Sequence, residues 1–172
     1  MKKCWILLGL AVLLSGCGTK ETFETVSDVV VQPVNGQVRQ VYLILPDNAD
    51  AQTLGAEDSD LYFCGDMMVC VQTLDRGDLD RTLRTATGYG RETLRLQEGY
   101  SPHGKLYECA WTSLGEGGLQ VGRTRIIDDG SYHYTLTVML PEDAVDENRT
   151  AMQEILDSFR LVDPEAPVNT GS

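Results

Sequence analysis

The chain has 172 residues, 26 Asp and Glu against 14 Lys and Arg, and a formal net charge of −12 at pH 7. That balance argues against nucleic acid as a partner and against lying flat on anionic lipid, since both need a basic surface. The length, with 42% hydrophobic residues, suits a single domain that builds its own core.

Met1-Lys2-Lys3-Cys4 opens the chain with positive charge, and an apolar run follows from Trp5 to Leu14. That run is too short for a spanning helix, which needs about 20 residues, and suits a secretory signal, whose apolar core is about 7–15. It ends in Leu14-Ser15-Gly16-Cys17. An apolar residue, two small residues and a cysteine in this context resemble the lipobox of bacterial lipoproteins. The resemblance implies a diacylglyceryl group on Cys17 and cleavage just before it. Residues 1–16 are then a signal peptide, and the protein meets the cell membrane through a lipid anchor, facing the extracytoplasmic side. Two or more acyl chains on that cysteine make the anchor lasting, whereas one chain binds only marginally.

Residues 17–37 read as the lipidated cysteine and a polar tether, with room for one added edge strand around Val29-Val30-Val31. The domain is expected over 38–163, and 164–172 as a disordered tail. In "VRQVYLILP", Val41, Leu43 and Leu45 alternate toward one face, and Pro46 ends the strand. Residues 47–60 are acidic and predict a loop or short helix. "DLYFCGDMMVCVQTL" predicts two strands around Gly65-Asp66. "GDLDRTLRTATG" predicts a helix with Asp78 as N-cap and Gly88 just past its end. Arg76-Gly77-Asp78 spells an adhesion tripeptide, but capping claims its aspartate.

The next stretch carries the strongest alternation. "ETLRLQE" predicts a strand with Leu94 and Leu96 inward, followed by "KLYECAWTSL", "LQVGRTRII" and "SYHYTLTVML". A loop at "GEGG" pairs 114 with 119, which sets Trp111 beside Gly122 and Glu108 across from Arg125. A three-residue loop at Asp128-Asp129-Gly130 pairs 127 with 131. One apolar face then holds Tyr107, Cys109, Trp111, Ile126, Tyr132, Tyr134, Leu136 and Val138. Arg123, Arg125 and His133 share the other face as a small basic patch, a candidate contact for a protein or an anionic small molecule. The opposite register is disfavoured because it turns unpaired arginines inward. "PEDAVDENRTAMQEILDSFRLV" predicts a helix with Val145, Ala151, Met152, Ile155 and Phe159 in one stripe.

Cys64, Cys70 and Cys109 follow Cys17. Export permits disulfides, and the odd count leaves at least one thiol over. Cys64 and Cys70, six apart on either side of a hairpin turn, are the expected pair, with Cys109 a core thiol. No C-x-x-C is present; a metal site could still be drawn from His103, His133 and these cysteines, although buried unligated cysteine is the commoner case, and no motif calls for a cofactor.

A meander of antiparallel strands closed by a helix ending in "EILDSF" resembles the PsbP and DcrB-like group. The matching stretches are Tyr42–Pro46, Lys105–Leu140 and Ile155–Phe159; Asp47-Asn48 stands where the group has Gly-Trp. The resemblance implies an α+β fold, a twisted antiparallel sheet packed with helices and closed by the C-terminal one. It also implies a non-enzymatic accessory or binding module. The alternatives are an extracytoplasmic hydrolase and a thiol- or metal-binding carrier.

Overall fold

The computed structural model describes residues 23–29, 38–52, 59–115 and 117–163. Cys17 and its lipobox, the residues after 163 and most of the expected tether lie outside the described residues. In chain order the elements are β1 (Phe23–Val29), β2 (Gln40–Pro46), β3 (Asp50–Gln52), β4 (Ser59–Cys64) and β5 (Met67–Asp75). Helix α1 (Leu79–Thr87) follows, then β6 (Gln97–Ser101), β7 (Gly104–Gly115), β8 (Gly118–Asp128) and β9 (Tyr132–Pro141). A 3-10 turn leads into α2 (Val145–Ser158), and β10 (Arg160–Val162) closes the series.

The strands form two antiparallel sheets. The smaller has the order β1-β2-β10, and the larger β3-β4-β5-β9-β8-β7-β6. One face of the larger sheet packs against β2 and α2. The buried residues here include Val41, Leu43, Leu45, Val69, Val71, Tyr134, Leu136, Val138, Met152, Ile155 and Leu156. Ser158 ties the layers together: Ile44 N–H donates to its hydroxyl (2.9 Å), which donates to the Ile155 carbonyl (2.7 Å). The other face carries a second cluster of Leu83, Tyr107, Cys109 and Ile126, covered by α1 and flanked by Leu94, Leu96 and Trp111.

Local signals account for most elements. Asp78 caps α1 by accepting from Asp80 N–H, and Gly88 ends it at φ 80°, a conformation that glycine adopts without strain. Gly65 turns β4 into β5 at φ 59°. Leu114 pairs with Leu119, Trp111 with Gly122 and Glu108 with Arg125, as expected. The Trp111 indole lies over Gly122, where any Cβ would collide with the ring.

Some expectations are corrected. β1 pairs with β2, so the small sheet extends upstream of Val38. Within 47–60, the described residues include strand β3, paired to β4, and no helix. Residues 92–96 are not strand; pairing starts at Gln97. The C-terminal helix stops at Ser158, and Arg160–Val162 returns to pair with β2.

The larger correction concerns β8 and β9. Asp128 pairs with His133 and Ile126 with Thr135, a register of opposite parity to the expected one. Between the strand ends the loop is 129–131, one residue further along than expected, and the Asp129 side chain organises it. Its Oδ1 accepts from Ser131 N–H and Tyr132 N–H, both at 2.8 Å, and Asp129 N–H donates to the Tyr132 carbonyl. The tyrosines of β9 therefore face α2, while Tyr107, Cys109, Trp111 and Ile126 face α1.

Two substitutions check this account. Gly122→Ala forces the Trp111 ring aside and should cost about 1–3 kcal/mol, as overpacking does, read by urea unfolding. Asp129→Ala leaves two loop N–H groups without their acceptor, while Arg39 keeps Asp163, and should cost about 1–3 kcal/mol, the range for buried donors left unsatisfied. A near-neutral Asp129→Ala would show that the loop's register does not depend on that side chain.

Candidate functional site

The expected patch is not one surface. Arg123 and Arg125 stand on the α2 face, paired across the sheet with Val138 and Leu136, whereas His133 points to the α1 face. Both arginines are engaged. Arg125 donates to Glu108 (2.7 Å), to the Leu156 carbonyl (2.5 Å) and to Asp157 (2.8 Å). Arg123 donates to Gln153 and to Glu108. Burial raises the Glu108 carboxyl, but hydrogen bonds from Arg125 and Arg123 outweigh it and hold the group below its ordinary pKa. This network clamps the C-terminal turn of α2 to the sheet, where cations complement the helix dipole. The penalty for inward arginines does not apply, because none of these charges is unpaired.

His133 is 2% exposed beneath α1. Its Nδ1 lies 2.6 Å from the Thr82 hydroxyl, and Nε2 lies 3.7 Å from the Asp128 carboxylate. Thr82 is itself 3% exposed. Beside this pair run three buried threonines. Trp111 Nε1–H donates to Thr124 Oγ1, which is 3.0 Å from Thr137 Oγ1, while the Thr135 hydroxyl has no partner.

The cysteines also differ from expectation. Cys64 and Cys70 lie on adjacent strands but on opposite faces, since Cys64 pairs with Met67 and Cys70 with Leu61. Six residues along one continuous strand would share a face; the two-residue turn at Gly65-Asp66 reverses the parity. Cys70 and Cys109 are free thiols, and Cys64 is not joined to Cys70. Burial raises the pKa of Cys70 and carries Cys109 to about 11, with Asp60 and Glu108 respectively adding to the effect. No group of three His, Cys, Asp or Glu side chains among the described residues is placed to hold a metal ion.

The concavity that gathers binding groups is a cleft of about 330 Å³ at the end of β5. It is lined by Val38 and Tyr132 on one side, Thr73 to Gly77 along the strand and its exit, and Arg81, Thr82 and Thr85 from α1. Ser59 of β4 reaches only as far as Gln72, so Thr73–Asp75 pair with β9 alone among the described residues. Sequence reading missed this site. Its residues come from three separated stretches, and Arg76 drew attention only as part of a tripeptide whose aspartate caps α1.

The buried histidine makes stability sensitive to pH. Burial lowers the His133 pKa; Asp128 opposes this, Arg76 adds to it, and Asp129 also opposes it. The folded state therefore resists protonation. Stability from the neutral ring is complete above the unfolded value of about 6.5 and is lost as pH falls toward the lowered folded value. Asp60, raised by burial, works in the opposite direction. Urea unfolding should show lower stability at pH 5.5 than at pH 7.5, and His133→Gln should flatten that difference. An equal difference in the variant would assign the pH dependence to other groups.

No family model matches the chain, and no curated protein matches it significantly. Solved structures do. Cyanobacterial PsbP (CyanoP) from Synechocystis sp. PCC 6803 superposes with a TM-score of 0.57 at 11% identity, over 86% of this chain and 96% of that one. LpqN of Mycobacterium tuberculosis, described as involved in cell envelope biogenesis, matches at 0.48 and 10% identity over 83% and 91% of the two chains. A Bacteroides thetaiotaomicron protein matches at 0.49 and 11% identity over 73% of this chain and 46% of that one. At these identities the likeness speaks for the fold alone: the domain has a PsbP-like α+β fold.

Proposed function

We propose that this protein is a lipoprotein anchored through Cys17 on the extracytoplasmic side of the cell membrane, where its PsbP-like domain acts as a non-enzymatic accessory or binding module. The anchor rests on Leu14-Ser15-Gly16-Cys17 after a basic start and a short apolar run. Among the described residues, no helix is long and apolar enough to cross a membrane.

The observation that carries the binding reading is how the chemistry is distributed around the cleft. Its accessible wall offers arginines and apolar surface. The Thr82–His133–Asp128 arrangement looks like nucleophile, base and orienting acid, but the Thr82 hydroxyl is bonded inward to the histidine under α1. The carboxylate stands 3.7 Å from Nε2, beyond hydrogen-bond distance. A catalytic hydroxyl must reach a substrate carbonyl, and this one is turned away from solvent. The geometry instead locks α1 to the sheet.

Membrane-extracted protein should show a mass beginning at an acylated Cys17, and Cys17→Ala should abolish both the acylation and the cleavage before residue 17. Unchanged cleavage together with unchanged membrane retention in the variant would overturn the anchor. Covalent labelling of Thr82 by an activated serine-hydrolase probe would overturn the non-enzymatic reading.

A further inference from the structure

We infer that the cleft at the end of β5 is a binding site for a small organic carboxylate, held by Arg76 and Arg81. This rests on the reading of the domain as a binding module and names what the module takes.

The first support is electrostatic. In this acidic chain, the described arginines are mostly committed. Arg39, Arg84, Arg91, Arg123, Arg125 and Arg149 each meet a carboxylate within hydrogen-bond distance, and Arg160 lies over the Tyr42 ring at 3.5 Å. Arg95, exposed ahead of β6, meets no described carboxylate, and the cleft is the other exception. Arg81 forms no ion pair or hydrogen bond with any described carboxylate, and Arg76 reaches Asp128 only at 3.6 Å. Asp75 is the opposing charge in the lining and Asp128 faces Arg76 from just outside it, so Arg81 is the cation left for a single ligand carboxylate. Two guanidinium forks suit the planar, two-oxygen geometry of that group better than they suit a point charge.

The second support is a buried group left unsatisfied. Thr73 lines the cleft, is 6% exposed, and its hydroxyl has no hydrogen-bond partner. Buried hydroxyls without partners are uncommon and call for an explanation. A ligand oxygen seated against the strand would supply one. Third, Val38, Leu74 and Tyr132 give the cleft an apolar wall, which favours a ligand with an apolar body behind its charge. The volume of about 330 Å³ lies at the small end of ligand sites, which run from about 300 to 1,000 Å³.

The test uses the full mature chain in detergent, isotope-labelled for NMR, with three probes. Benzoate carries charge and an apolar ring, benzyl alcohol the ring without the charge, and inorganic phosphate the charge without the ring. Benzoate should shift the amides of Thr73, Leu74 and Gly77 and the Arg81 side-chain N–H saturably. The paired substitution Arg76→Gln with Arg81→Gln should weaken that binding by at least about tenfold, since each charged hydrogen bond is worth roughly that much. Both side chains are largely solvent-facing, so the melting temperature should hold, which separates lost binding from lost fold. Shifts elsewhere, no saturation, undiminished binding by the variant, or equal binding of benzyl alcohol or phosphate would each overturn the assignment. None of these failures would touch the anchoring or retention results, which read the module's placement independently.

Discussion

The carboxylate of Asp129 decides which side of the sheet is which. It accepts from two loop N–H groups, pairs with Arg39 at 2.6 Å and takes a hydrogen bond from the Tyr134 hydroxyl at 3.3 Å. Burial alone would raise this carboxyl, but the Ser131 and Tyr132 N–H groups and Arg39 overcome it and leave it below its ordinary value. Those bonds close the β8–β9 loop at one length, and loop length fixes strand register. Because side chains alternate with a period of two, one residue more or less in the loop moves every β9 side chain to the other face. The same aspartate, through Arg39, also holds the start of β2 against the loop, and Arg39 N–H donates to Tyr134. One side chain thus sets both the register of the main sheet and the seating of the small one.

The two faces then differ in kind. On the α2 side, a large apolar core ends at an ionic rim in which Glu108 sits between Arg123 and Arg125, and both arginines reach α2. Half-buried ion pairs add little net stability when compared with apolar substitutes, but they penalise every arrangement that leaves one partner alone. The rim therefore specifies where α2 docks more than it strengthens the docking. On the α1 side the core is smaller and more polar, built on Leu83, Ile126, Tyr107 and Cys109 around His133 and a line of threonines.

Much of this was legible residue by residue. Alternation found β2, β5, β7, β8 and β9, the caps found α1, and the Trp111–Gly122 pairing followed from closing the chain at "GEGG". The register of β9 was not legible, because inward arginines carry a desolvation penalty only when unpaired, and nothing in the local pattern shows that Glu108 and α2 meet them. The choice of Cys64 and Cys70 as a pair failed on the parity of a two-residue turn. β10 was hidden because "FRLV" continues the helical stripe up to Phe159, and only pairing to Tyr42, Val41 and Gln40 reveals it as strand. The cleft had no sequence signal at all: Val38, Thr73, Arg81 and Tyr132 share no spacing, and only the fold makes them neighbours.

The cleft forms where β5 outruns the described part of β4. β5 runs on to Asp75 along β9, while the described part of β4 begins opposite Gln72, so among the described residues Thr73–Asp75 pair on one side alone. Chain leaving β5 must turn back to place α1 on the sheet, and the cap at Asp78 fixes where the helix starts. The helix is held from below by Thr82 on His133 and Leu83 in the second core, so its outer face and the strand edge form two walls that cannot close on each other. Arg81 precedes the buried Thr82 by one residue and so falls on the rim, while Arg76 sits on the exit from β5. With no carboxylate partner among the described residues, Arg81 leaves positive charge on that rim available to something outside the domain.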